Sequence, residues 1–566
     1  MNLHDARRRR RLSWEQAKRD LGYRDGDPLN LGRLCADRHV DEGRGERVAL
    51  IHEDHEGQVR RYTFRDLMEL SNGWARFLSD QASVCQLDRV CLFLDRTPEL
   101  YAAFLGILKT GAIAEPLFPV FGEDALTARM LDSGAAAVIT SRRHLGKLRR
   151  TRSRLPDLRT VVVVDAEPGG QGLRQGEMAF RMEDHRDARF SAAATHAESP
   201  SVLHYTSGTT GAPKGALHVH GSVFAQYLTS KVVLDIRDDD VYWCTADPGW
   251  VTGTSYGIIG PWSLGATQVV LDGGFSSERW YGTIERHRVS VWYTAPTAIR
   301  MLMKDGLDPV RRRDLSSLRH ACSVGEPLNP EAVRWGREAF GLWFHDTFWQ
   351  TETGAIVVTN LPGMPVKPGS MGRPFPAVEA AIVEPGTGVP IAEAGRVGLL
   401  AIRPPWPSLM RAYWNNTAAY YGKFLNGWYV SGDRASVDDD GYFWFCGRDD
   451  DVINTAGHLV GPFEVESALL EHPAVAESAA IGKPDPVSLE VVKAFVALRP
   501  GFEASEELEL DIMNFVRKRL SPLAMPQEIA FVDRLPKTGS GKILRRMLRA
   551  RELGQSAGDL STMDGG

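Results

Sequence analysis

From about residue 88 onward, short apolar runs alternate with amphipathic segments, a rhythm that predicts strands alternating with helices. Arg89–Leu94 reads as a buried strand. Thr97-Pro98-Glu99 then opens a helix with a threonine at the cap and a proline in the first turn, and Gly111 follows its last turn. Ala135–Thr140 and Thr160–Val164 predict further strands, with helical spacing between 123 and 150. Such repetition argues for a parallel sheet covered by helices. Val202–Tyr205 fits the next strand. A second stretch of the same kind covers 241–350, with a strand over Val289–Tyr293 and a helix over Pro296–Lys304.

Around 376–403 the texture changes. Val378–Val383 and Gly398–Ile402 flank Pro- and Gly-rich turns, and Asp438-Asp439-Asp440-Gly441 is a turn before Tyr442–Phe445. This predicts a small β-rich subdomain over about 365–445. Arg448-Asp449-Asp450-Asp451 is a charged junction. Beyond it come a helix from about Pro462 to Glu471, strands near Ala479 and over Val491–Leu498, and a helix from about Ser505 to Leu520. The expected fold is α/β. A large N-terminal domain of α/β sheet layers, 1–448, carries the β-rich subdomain, and a small, mobile α+β C-terminal domain covers 449–566. Gln555–Gly566 is polar and reads as a loose tail.

Composition narrows the function classes. A chain of 566 residues with 43% hydrophobic content can bury a large core and exceeds one ordinary domain. A net charge of −5 leaves no footprint for nucleic acid. The six cysteines (35, 85, 91, 244, 322 and 446) form no CxxC pair, which argues against a zinc ribbon or redox dithiol and suits a reduced cytoplasm. Arg7 to Arg11 form a basic run, but the following Leu12-Ser13-Trp14-Glu15-Gln16-Ala17-Lys18 is too polar for an export signal, so the run reads as a solvated arm. No window approaches the ~20 apolar residues of a membrane span. A soluble, cytoplasmic protein without membrane partners is expected.

The stretch Tyr205-Thr206-Ser207-Gly208-Thr209-Thr210-Gly211-Ala212-Pro213-Lys214-Gly215 packs hydroxyl residues among glycines, with one lysine. Glycines let successive N–H groups turn inward as an anion-binding nest, hydroxyls add donors, and Lys214 adds charge. This is the chemistry of a polyphosphate loop at the C-terminal end of a strand, where open α/β sheets place ligands. It is not a Walker A loop, because Lys214 follows Pro213 and precedes Gly215. On composition alone it also fits a Ser/Thr/Gly-rich surface loop. The order of residues resembles the phosphate-binding signature of the adenylate-forming enzymes: acyl-CoA synthetases, luciferases and the adenylation domains of peptide synthetases.

Three further segments carry the same resemblance in the same order. The first pairs Gly325-Glu326-Pro327 with Asp346-Thr347-Phe348-Trp349-Gln350-Thr351-Glu352-Thr353-Gly354. Taken bare, Thr-Glu-Thr-Gly also fits a turn or helix cap. The second is Tyr429-Val430-Ser431-Gly432-Asp433, with Arg448 in Gly447-Arg448-Asp449-Asp450. A carboxylate can accept both ribose hydroxyls, and a guanidinium fork suits paired oxygens, though alone either residue also reads as a surface charge. The third is Pro536-Lys537-Thr538-Gly539-Ser540-Gly541-Lys542, a lysine on a Gly/Ser-rich loop. Together with Asp247-Pro248-Gly249-Trp250-Val251-Thr252-Gly253 and Gly461-Pro462-Phe463-Glu464-Val465-Glu466-Ser467, the chain is similar to acetyl-CoA synthetases of the shorter bacterial kind.

The resemblance implies an enzyme that joins acetate to ATP, giving acetyl-AMP and pyrophosphate, and then passes the acetyl group to coenzyme A. It implies that Thr206, Ser207, Gly208, Thr209, Thr210, Gly211 and Lys214 hold phosphates. Gly325, Glu326, Pro327, Asp346, Thr347, Phe348, Trp349, Gln350 and Thr351 line the adenine and α-phosphate, and Glu352 holds the Mg²⁺ of the nucleotide. Asp433 and Arg448 take the ribose. Lys542 is the catalytic lysine, screening charge on the transferring oxygens and serving as the target of a lysine acetyltransferase and deacetylase. Asp450 matches the hinge. Trp349, Val251, Thr252 and Val324 wall the acyl pocket; an indole there closes it after one or two carbons. Thr252, Ala456, Gly457 and Arg517 meet coenzyme A, and Leu470, His472 and Val475 match a peripheral Mg²⁺ site. One position departs from the pattern: relatives read Gly-x-Arg-x-Gly where this chain reads Gly457-His458-Leu459-Val460-Gly461. The family's arginine meets phosphate, and leucine cannot. Two other readings stay open, a synthetase preferring propionate or another small acid and an inactive nucleotide-binding module.

Overall fold

The computed structural model describes residues 12–554 apart from 168, 169, 207–212, 450, 456, 457, 487 and 538–542, with backbone alone at 458 and 459. The Arg7–Arg11 run and the tail from 555 lie outside the described residues.

Two sheets form the body of the large lobe. One orders the strands Arg373–Pro374, Val358–Thr359, Phe344–Phe348, His320–Val324, Val291–Thr294, Val241–Cys244, Thr267–Leu271, Val48–Glu53 and Val59–Thr63. Neighbours from Phe344–Phe348 to Val48–Glu53 run parallel, and the edges are antiparallel. The other orders Ala412–Tyr413, Lys214–Val219, Pro200–Thr206, Ile113–Pro116, Arg89–Phe93, Ala137–Thr140, Thr160–Val163 and Glu177–Ala179, parallel from Pro200–Thr206 outward. Strands such as Val291–Thr294 and Ala137–Thr140 are buried throughout, as parallel strands covered on both faces must be. The helix over Pro296–Lys304 forms as the spacing predicts, and the strand before it runs Val291–Thr294, two residues later at its start. Thr97 does sit at the cap of the helix Pro98–Lys109, but its hydroxyl makes no cap bond and is buried; Pro98 and the extended backbone at Thr97 start the helix.

A third sheet is small and antiparallel: Ala380–Val383, Gly398–Ile402, Trp428–Val437 and Phe424–Leu425, with Phe443–Arg448 also pairing Trp428–Val437. Its last strand ends at the charged junction. Beyond lies an α+β unit built on the long hairpin of Val475–Asp485 and Leu489–Leu498, extended by Ile453–Thr455, His458–Val460 and, in parallel, Glu528–Phe531. The helices Pro462–Leu470 and Glu506–Arg519 supply Val465, Leu469, Ile512 and Val516 to a core with Val492 and Val496.

The two lobes meet along the helix Pro462–Leu470. Phe463 packs edge-on against Phe445 at 5.9 Å, Asn329 Nδ2 donates to Ser467 Oγ at 2.9 Å, and Lys304 reaches Glu477 at 3.2 Å. Gly461 comes so close to the large lobe that a Cβ there would fall 2.1 Å from the Cys446 carbonyl oxygen.

Candidate active site

The parallel strands end where the candidate residues begin. Val324 closes one strand, Phe348 the next in register with it (Val324 pairs with Thr347), and Thr206 closes the corresponding strand of the other sheet. Thr206 also pairs with Lys214 across a hairpin, so both ends of the phosphate-loop stretch are set by sheet hydrogen bonding. Ser207, Gly208, Thr209, Thr210 and Gly211 lie outside the described residues. Tyr205, just before them, donates its hydroxyl to Asp132 at 2.7 Å, and the Lys214 ammonium lies over the Tyr413 ring at 5.8 Å.

Gln350 is the best-held polar side chain of the site. Its Nε2 donates to Asp433 Oδ2 at 2.6 Å and to the Ser431 carbonyl at 3.2 Å, and its Oε1 accepts the Tyr429 hydroxyl at 2.9 Å. Arg448 donates to Asp433 Oδ1 at 3.2 Å, the two residues standing opposite each other on paired strands. The carboxylate and guanidinium assigned to ribose therefore form one unit, and cross-strand pairing is what makes it. Glu352 accepts the Tyr413 hydroxyl at 2.6 Å, while its carbonyl accepts the Met410 N–H. Lys423 stands among Glu352, Arg448, Asp433 and Lys214; burial lowers its pKa, Glu352 and Asp433 oppose that shift, and Arg448 and Lys214 add to it. Tyr413 and Lys423 were not among the residues anticipated from sequence; Tyr429 opens a motif quoted there but was given no role of its own.

Among the residues assigned to adenine, burial pushes Asp346 up to about 7, against a hydrogen bond from Ser323 Oγ at 3.2 Å. Gly325 takes a left-handed φ of +93°, open to either side. The Glu326 carboxylate is turned onto the earlier helix Pro296–Lys304, accepting Thr297 Oγ1 at 2.7 Å and Arg300 at 2.6 Å. Thr351 offers its carbonyl to His218 Nε2 at 2.8 Å. Trp349 is buried in the same apolar cluster as Val324, with Val251 packed against it; Val251 and Thr252 are half-buried on the short helix Val251–Thr254.

The C-terminal candidates are less uniformly placed. Lys542, Asp450, Ala456 and Gly457 lie outside the described residues, as do the side chains of His458 and Leu459. Lys537 and Ile543, which bracket the lysine loop, pair with each other and line a cavity between the lobes together with Glu326, Pro327, Arg300 and Phe463. Arg517 is exposed in the last turn of Glu506–Arg519. Leu470 ends the helix Pro462–Leu470, Val475 begins the following strand and His472 lies between them, but His472 is already engaged, its Nε2 with Asp511 at 3.1 Å and its Nδ1 with the Ala474 N–H. Among the described residues no group of three or more His, Cys, Asp or Glu side chains could hold a metal ion, and no helix is long and apolar enough to cross a membrane.

Comparison with known proteins agrees with this layout. The family described as AMP-binding enzyme matches residues 37–414, and the AMP-binding enzyme C-terminal domain matches residues 464–542. An acetyl-coenzyme A synthetase of Bacillus subtilis is 49% identical over 98% of this chain and 96% of its own length. Acetyl-coenzyme A synthetase 2 of Pseudomonas aeruginosa is 41% identical over 95% of this chain and 87% of its own. Among solved structures, an acyl-CoA synthetase of Brucella canis superposes with a TM-score of 0.74 at 36% identity, over 96% of this chain and 98% of its own. An anthranilate CoA ligase solved in complex with anthranoyl-AMP superposes with a TM-score of 0.83 at 31% identity, over 93% of this chain and 97% of its own.

Proposed function

This chain belongs to the AMP-binding, adenylate-forming enzymes as an acetyl-CoA synthetase, and from that premise we propose how its residues divide the work. The enzyme is an AMP-forming acetate–CoA ligase. It activates acetate with ATP to acetyl-AMP and pyrophosphate, then transfers the acetyl group to the thiol of coenzyme A and releases AMP. The first half asks little covalent work of the protein, which must hold the carboxylate in line with the α-phosphorus and neutralise charge there.

In this reading Asp433 accepts the ribose hydroxyls, supported by its bonds to Gln350 and Arg448, which hold it facing one way. Asp346, with the backbone of Gly325–Pro327, receives the adenine; the Glu326 carboxylate, spent on Thr297 and Arg300, steadies that turn instead. Glu352 is a hard oxygen donor aligned by Tyr413 and fits the Mg²⁺ that accompanies the nucleotide, where the ion would screen phosphate charge. Lys423 and Lys214 supply further positive charge on the same side. Lys542 is carried by the small lobe, taken as 449–566. That reading is supported by Lys537 and Ile543 facing the cavity that Glu326 and Pro327 line. After adenylation the lobe turns about Asp450, withdrawing Lys542 and admitting the thiol past Ala456 and Gly457, with Arg517 on the coenzyme A phosphate. A cytoplasmic setting and reversible acylation of Lys542 complete the proposal.

Leu459 removes one charge-assisted contact that relatives make to phosphate, a loss of about 1.5–3 kcal/mol. The intact lysine and phosphate-loop sequence support activity without it. The observation that carries the preference for acetate is Trp349, buried in the same apolar cluster as Val324, with Val251 packed against that cluster. Coenzyme A consumption across C2–C6 acids tests it. Acetate should lead, propionate should follow about tenfold or more behind, and hexanoate should give no turnover. Faster turnover of butyrate or longer acids than of acetate would overturn the assignment.

A further inference from the structure

A side chain limits the length of an acid only if it cannot turn aside, and the surroundings of Trp349 are built to prevent that. We propose that Tyr293 and Tyr256 are positioning residues that set the acid-length limit by locking the Trp349 indole; this rests on the reading of Trp349 as the pocket wall. The indole Nε1–H reaches the Tyr293 hydroxyl oxygen at 3.1 Å. That hydroxyl lies 2.7 Å from Thr347 Oγ1, which itself donates to the Ser323 carbonyl at 2.7 Å. Thr347 has spent its one proton on Ser323, so the Tyr293 hydroxyl must donate to Thr347 and present its oxygen to the indole. The chain has a single polarity, from Trp349 through Tyr293 and Thr347 to a backbone carbonyl of the sheet.

The second restraint acts on the ring. Tyr256 meets the Trp349 indole edge-on, centroids 5.1 Å apart at 77°, and meets Tyr293 at 5.6 Å and 86°. Its own hydroxyl is fixed by the same logic. It accepts the Ile356 N–H at 2.8 Å and faces Thr229 Oγ1 at 2.7 Å, whose proton goes to the Ala225 carbonyl at 2.6 Å. Tyr256 sits on the π-helical segment Ser255–Ile259, directly after Val251–Thr254, so the wound-out turn that carries the pocket helix also aims this ring. Both tyrosines are fully buried. An acid one methylene longer must then displace an indole that is hydrogen-bonded through its nitrogen and held in a T-shaped contact with a buried ring.

Tyr293→Phe keeps the ring and removes the acceptor, leaving a buried N–H unpartnered and the indole free to leave its position. The ratio of kcat/KM for propionate to that for acetate should rise about five- to tenfold, with KM for ATP within about twofold of the unaltered enzyme. General damage to the fold would lower both acids together and leave the ratio alone. A ratio within twofold of the unaltered enzyme overturns the proposal. Should Trp349→Gly move the ratio while Tyr293→Phe does not, the wall is right and the lock is wrong; should neither move it, the pocket reading itself has failed. If Tyr293→Phe does not accumulate as folded protein, Tyr256→Leu removes the ring restraint and is read by the same ratio.

Discussion

At the strand ends, Gln350 is gripped on both amide atoms, Asp433 on both carboxylate oxygens, and Trp349 on its nitrogen and its ring. Between the lobes, a lysine whose side chain is 58% exposed reaches a glutamate, one asparagine meets one serine, and two phenylalanines touch. The first set is buried and cross-linked from several strands, so each partner holds the others. The second set holds an exposed ion pair worth little, one side-chain hydrogen bond and one aromatic pair, each joining a single residue of one lobe to a single residue of the other. The difference teaches where rigidity is needed. In the proposed mechanism nucleotide and acid require fixed geometry, and a small lobe carrying Lys542 has to let go between the two half-reactions.

Substitutions at the two places should therefore differ greatly in effect. Trp349→Gly should raise kcat/KM for butyrate relative to acetate by about a hundredfold, two methylenes at about 1–3 kcal/mol each; unchanged relative rates would remove the wall from the account. Asp433→Ala breaks the unit with Gln350 and Arg448, and KM for ATP should rise about tenfold or more, since hydrogen bonds to a charged group are worth about 1.5–3 kcal/mol.

Acid should attack the rigid half. Burial depresses His39, His204, His220 and His320 to about 3 and His218 to about 4, and all five lie in the large lobe. Their neutral forms are native, so their contribution to stability is intact above the ordinary histidine value near 6.5 and is lost as pH falls toward 4, at up to about 1.4 kcal/mol per unit for each. Thermal unfolding followed from pH 7 to 4.5 should show the large-lobe transition dropping steeply, and a flat profile would contradict their burial as neutral rings. The smallest effect belongs to the lobe interface: Lys304→Ala should change unfolding free energy by less than about 1 kcal/mol in denaturant titration.

Much of this was readable beforehand for a definite reason. Strand–helix alternation and Pro–Gly punctuation are local signals, and Pro296–Lys304 and the Asp438–Gly441 turn formed where they pointed. Asp433 and Arg448 were recognisable from their motifs, but their mutual hydrogen bond comes from strand pairing across fifteen residues. Tyr413 was not readable. It lies on a two-residue strand whose only message is its partner, Lys214–Val219, and that pairing brings it to Glu352. Lys423 reaches the site the same way, through the small antiparallel sheet, where its carbonyl accepts the Val430 N–H. Glu326 shows the opposite limit: its motif marks the turn assigned to adenine, and only the neighbouring helix explains why the carboxylate faces Arg300.

The central claim is that a small lobe brings the Lys542 ammonium to a nucleotide and acid already fixed by the large one. Acetate-dependent ATP–pyrophosphate exchange by Lys542→Ala, set beside coenzyme A consumption from supplied acetyl-AMP, tests it most directly. Exchange should fall by about 10²–10³-fold, the cost of removing one preorganised charge-stabilising donor, while the second half-reaction stays within a few-fold. Exchange at the rate of the unaltered enzyme, or an equal fall in both halves, would contradict the account.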